Sequence, residues 1–215
     1  MWRFVLISLA AFSAVELGAA ENIDKVNGSI RVEASRTVGD LSTVNGSIDV
    51  GEGTRAEDIE TVNGSIQLQP RVVADSVETV NGSVKLGADA QVMESAETVN
   101  GRIILDKRAV VGGYVETVNG DLLLDEAKVE GQLRTVNGDI TVGPSSRVGG
   151  GILVEETKGW KFGTNKRVPK IVVGPSAVVE GTMRFEREVK LYVSNTATIG
   201  KIEGATPIRF DGEQP

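Results

Sequence analysis

Apolar residues in this chain fall into columns. A Val stands at 26, 44, 62, 80, 99, 118 and 136, with steps of 18, 18, 18, 19, 19 and 18. Four positions after each come Ile30, Ile48, Ile66, Val84, Ile103, Leu122 and Ile140, and two further on Val32, Val50, Leu68, Leu86, Leu105, Leu124 and Val142. Three before each Val, from the second copy on, stand Leu41, Ile59, Val77, Ala96, Val115 and Leu133. A looser column runs Val38, Ala56, Ala74, Val92, Val111, Val129 and Val148. Gly, Pro or charge fills the intervals, as in Gly51-Glu52-Gly53, Gln69-Pro70-Arg71 and Gly143-Pro144-Ser145. The pattern predicts short strands joined at fixed corners, with all five columns, the Val column included, facing inward.

Each of these Vals opens a Val-Asn-Gly, in KVNGSI, TVNGSI (twice), TVNGSV, TVNGRI, TVNGDL and TVNGDI. Asn-Gly between apolar residues is a strong hairpin signal, so an antiparallel β-meander is the alternative fold. A parallel solenoid instead sets each residue above its counterpart at about 4.8 Å, and seven copies with the same residue type in each slot are what like-on-like stacking produces. The expected fold is therefore all-β, a single-stranded parallel β-helix with coils of 18 or 19 residues. Nine or ten coils would give a rod of roughly 45 Å. Asn-Gly then closes a corner, where both residues would supply positive φ. Stacked amides would form a ladder of Asn27, Asn45, Asn63, Asn81, Asn100, Asn119 and Asn137.

The periodicity outlasts the motif. DITVGPSSRVGGGILVEE at 139–156 aligns without a gap on KIVVGPSAVVEGTMRFER at 170–187, and KLYVSNTATIG echoes it from Lys190. Residues 157–169, TKGWKFGTNKRVP, form an insertion between the first two.

Residues 1–20 read as a secretory signal peptide: Arg3, an apolar run from Phe4 to Val15, then Gly18-Ala19-Ala20 as the predicted cleavage site. Residues 21–215 form the expected single β-helix domain. No other run is apolar enough to span a bilayer, so the mature chain is expected in the periplasm or secreted. The leader carries one Arg and one Glu, and the net charge stays at -7 without it. An acidic chain with scattered basic residues is a poor partner for nucleic acid. Without Cys there are no disulfides or thiolate metal sites, and without His there is no Ser-His-Asp or Cys-His chemistry. Aromatic content of 4% and 26 Gly favour many short strands over a compact globule.

The tandem VNGxI units over 26–142 resemble a bacterial β-strand-repeat family of adhesin type and unknown function. Residues 139–200, with IVVGPSAVVEG, are similar to bactofilins, polymer-forming β-helical scaffold proteins. That resemblance implies a right-handed solenoid, while the near-hexad apolar spacing also suits left-handed coils. A signal peptide departs from the cytoplasmic bactofilins, and neither family supplies catalytic residues to transfer.

Chemistry is sparse. Glu60, Glu78, Glu97 and Glu116 share one slot, as do Asp121 and Asp139. Stacked carboxylates repel unless solvated or bridged by a cation such as calcium, and solvation is the simpler reading. They repeat from coil to coil and do not converge as an acid–base pair would, so no enzyme, metal or cofactor is expected. Thr43, Thr61, Thr79, Thr98, Thr117 and Thr135 are expected to point outward, a column like those of ice-binding solenoids, but the second column here is Asn at a bend, which keeps the face from being flat. Asn27, Asn45, Asn63 and Asn81 match the N-x-S glycosylation pattern as a by-product of the corner. In the insertion, Trp160 and Phe162 with Lys158, Lys161, Lys166 and Arg167 form the candidate binding cluster. The expected function is non-catalytic: an exported structural or adhesin-like solenoid acting by surface interaction or self-association, or alternatively a module for cell-envelope polysaccharide.

Overall fold

A computed structural model describes residues 20–156 and 167–215. Its regular structure is entirely β, and every strand pairing is parallel. The meander is thereby replaced by a β-solenoid, with three strand positions per coil. The first sheet has ten strands, from Ile23–Asn27 to Ile202–Glu203. The second also has ten, from Ile30–Val32 to Ile208–Phe210. The third has seven two-residue strands from Val73–Ala74 to Thr198–Ile199, extended toward the N-terminus by single bridges Thr37 to Arg55 and Arg55 to Val73.

Register follows the sequence period. Leu41 pairs with Ile59, Ile48 with Ile66 and Gln91 with Val110, each residue over its equivalent on the next coil. The gapless alignment across the insertion is also the physical register: Ile140 pairs with Ile171, Arg147 with Val178 and Ile152 with Met183. The insertion therefore leaves the stack unshifted, displacing chain only at the corner between first and second sheets. Its residues 157–166, and residues 1–19 of the expected leader, lie outside the described residues.

Four of the five expected apolar columns fill one continuous core running from Ile30 to Val193. The fifth is corrected. The Val of Val-Asn-Gly faces out, 68% exposed at Val26 and about 40% at Val44 and Val62, while the Thr before it is buried throughout the column. The cause is strand parity. Leu41–Asn45 is one uninterrupted strand, so positions three apart must face opposite ways, and the burial alternates from Leu41 through Thr43. Burial of the Thr column removes the ice-binding face considered above.

The corner chemistry is also corrected. Of the Val-Asn-Gly glycines only Gly28 has positive φ, at 108°. What the others provide is room: a Cβ on Gly82 would lie 1.9 Å from the Gly64 carbonyl oxygen, and one on Gly101 1.9 Å from that of Gly82. Backbones stack there with no space for a side chain. Positive φ sits instead at the turn after the second-sheet strand, at Ser35, Gly53, Arg71, Asp89, Arg108, Glu126, Ser145 and Ser176. One slot thus takes the left-handed conformation in coil after coil, and mostly without glycine.

Candidate functional site

The corner joining the first and second sheets carries the densest ordered chemistry. In each coil the buried Thr hydroxyl donates to a Gly carbonyl of the preceding coil: Thr61 to Gly46, Thr79 to Gly64 and Thr98 to Gly82, each at 2.9 Å. This places a methyl toward the core and satisfies an acceptor that stacking would otherwise strand, which explains why Thr and not Val takes the inward slot. Thr135 differs, accepting from the Gly138 N–H at 3.0 Å.

Outside the glycines the asparagines form an unbroken ladder. Asn45, Asn63, Asn81, Asn100 and Asn119 each donate from Nδ2 to Oδ1 of the Asn one coil below at 3.0 Å, and Asn137 does so to Asn119 at 2.9 Å. Arg187 closes the upper end. Its Nη1 donates to Asn137 Oδ1 at 2.6 Å and to the Val136 carbonyl at 2.8 Å, and its Nη2 to the Arg167 carbonyl at 2.9 Å. A glycan on these amides would break the ladder.

A second ladder, not singled out from the sequence, runs beside the first. The Ser47, Ser65 and Ser83 amides donate to the hydroxyl oxygen of the serine one coil below at 3.2 Å. Asp139 N–H does the same to Asp121 Oδ1 at 3.1 Å. The signal was present as the residue after each glycine, which changes from Ser to Arg102 and Asp as the stack rises.

Of the insertion cluster, Arg167 alone is described. Its Nη2 donates to Asp139 Oδ2 at 2.7 Å and stands 3.6 Å from Asp121. Its cation is thus already engaged by the paired aspartates, answering the repulsion expected between them. Lys158, Trp160, Lys161, Phe162 and Lys166 lie outside the described residues. Arg102, Asn119, Asp121, Asn137 and Arg167 line a shallow polar cleft on this corner.

The outward face of the first sheet lies next to the ladder. Glu60 pairs with Glu78, Glu78 with Glu97 and Glu97 with Glu116, and the column then meets Arg134. Partial burial, then the charges of Glu97 and Glu60, push the Glu78 carboxyl above the ordinary glutamate range. Glu116 is raised as well, chiefly by burial, against the Arg134 charge 3.7 Å away. Tyr114 donates its hydroxyl proton to Glu97 at 2.7 Å, which raises the phenol, and Arg134 lies over its ring at 4.8 Å. Among the described residues no three acidic side chains converge on a point that could hold a metal ion.

After a turn at Gly212, with φ of 89°, Glu213–Pro215 lies beside Leu123, Thr141, Lys170 and Val172 on the outer face of the second sheet.

No family model, no curated protein and no solved structure matches this chain.

Proposed function

We propose that the chain is a non-catalytic, exported structural protein of adhesin type, a stiff solenoid that acts in the cell envelope by contact along its side. The supporting observation is the exposed Val column. Val26, Val44, Val62 and Val99 are 38 to 68% exposed, and Val80, Val118 and Val136 are half-buried in the same outward column. Scattered exposed apolar residues are ordinary on any surface, whereas a contiguous line of them marks a contact face. The carboxylates beside it repeat from rung to rung, with Glu60 and Glu78 in a shallow groove shared with Val44, Val62 and Val80, an arrangement suited to extended surfaces and poorly suited to a reacting centre.

Purified residues 21–215, examined by sedimentation and negative-stain microscopy over a range of concentration and tested for retention on envelope preparations, check this reading. Association or retention supports it. A monomer that binds no envelope surface contradicts it.

A second reading, a polysaccharide-binding module, draws on the polar cleft of Arg102, Asn119, Asp121, Asn137 and Arg167. It requires that Arg102→Ala sharply reduce retention on an envelope glycan. Equal retention of the variant and the wild type would sink that reading and leave the first untouched.

A further inference from the structure

Three columns cross the outward face of the first sheet in fixed order. The acidic column comes first, the Val column stands two residues further along each strand, and the Asn ladder follows one residue later. Each carboxamide has two N–H donors, and the ladder uses one per rung. An ionised carboxylate only accepts. The face therefore holds a line of acceptors and a line of donors on opposite sides of an apolar stripe.

We infer that this face binds a second copy of the chain, with the two solenoid axes parallel. The inference rests on the side-contact reading and names the partner. It follows from symmetry. A two-fold axis running along the solenoid reverses the order of columns across the strands. Val then meets Val, while Glu78 of one copy faces Asn81 of the partner subunit and Glu97 faces the partner subunit's Asn100. A two-fold axis running across the solenoid keeps the column order; centred on Val80, it sets Glu60 against Glu97 of the partner subunit and Glu78 against the partner subunit's Glu78 on the middle rungs, with Asp24 against Arg134 of the partner subunit at the ends. Like charges brought together in a drying interface oppose that arrangement, and Glu78 already resists ionisation from burial and from its neighbours.

Size sets the strength. The stripe covers seven rungs, from Val26 to Val136, about 29 Å at the strand spacing, and its three columns span about 10 Å. A projected area of about 300 Å² per copy is well below a standard stable interface. The pairing is expected to be weak in solution and to depend on concentration or on crowding at a surface.

The chain contains no Cys, so single substitutions report contact directly. Val44→Cys, Val80→Cys and Val118→Cys lie near the bottom, middle and top of the stripe, and Met93→Cys, at a 57% exposed site outside the stripe, gives the rate of random collision. Parallel pairing predicts that all three stripe variants of residues 21–215 form covalent homodimers under mild oxidation at least tenfold faster than Met93→Cys. Antiparallel pairing would cross-link Val80→Cys alone, and Val44→Cys only when mixed with Val118→Cys; that result overturns the inference. Equal rates at all four sites overturn it as well. In either case, retention of the same protein on envelope material would show that side contact survives with a different partner.

Discussion

Thr79 Oγ1 donates to the Gly64 carbonyl at 2.9 Å, and that same oxygen lies 1.9 Å from where a Cβ on Gly82 would stand. One carbonyl thus fixes two letters of the repeat. Its lone pair demands a hydroxyl on the next coil, and its bulk excludes any side chain there.

The first consequence is that Thr79→Val, although close in volume, is costly. It leaves the Gly64 carbonyl without its donor at a part-buried corner, a loss of about 1 to 2 kcal/mol. Thr79→Ser keeps the bond, loses one methyl and costs about 1 kcal/mol. Urea unfolding of both variants should rank them in that order.

The glycine stack gives a sharper contrast. Gly82→Ala must push two coils apart and is expected to destabilise by about 1 to 3 kcal/mol or more. A Cβ on Gly87 would come no closer than 2.8 Å to neighbouring backbone atoms, so Gly87→Ala should be milder. Thermal unfolding of the pair checks whether the penalty follows backbone proximity.

The Asn ladder is exposed at its rim, and water can replace a missing rung. Asn81→Ala removes the donor to Asn63 and the acceptor for Asn100, with an expected cost of about 1 kcal/mol. Asn27→Ala, at the lowest rung, removes one bond in place of two and should cost about half as much in the same denaturation assay.

Acid should relieve the carboxylate column. Glu78 titrates above the ordinary glutamate range in the folded chain, so near that range the native state binds more protons than the unfolded one. This contribution to stability is therefore full below the ordinary glutamate value and is lost as pH rises through the raised Glu78 value. Glu78→Gln is expected to raise stability at neutral pH by a few tenths of a kcal/mol, given the solvent exposure of the site, and to flatten this part of the pH profile. Added salt should shrink the difference between variant and wild type.

Much of the fold was legible because stacking enforces likeness. Leu41, Ile59 and Val77 recur at one slot, and their spacing alone gave the register, even across the insertion, where Ile140 lies under Ile171. The Asn ladder was legible for the same reason. Facing was not, because Val is more apolar than Thr and hydrophobicity alone assigns it to the core. Only the strand parity between Leu41 and Val44, joined to the needs of the Gly28 carbonyl, turns the pair around. The role of glycine was misassigned on similar grounds: the letters Asn-Gly suggest a backbone conformation, but the closeness of Gly46 to Gly28 is a property of two coils and is invisible within one. Arg187 as the cap of the ladder could not be anticipated, since it acts on Asn137 from 50 residues away.

The central claim is that the Val stripe is the working surface. Sedimentation equilibrium of residues 21–215 beside the double variant Val62→Lys/Val99→Lys tests it most directly, because both sites are exposed and the charges should spare the fold. The account predicts a wild-type average mass that rises with concentration and a variant that stays monomeric. Equal association of the two proteins, or two single proteins that are retained equally on envelope material, would contradict it.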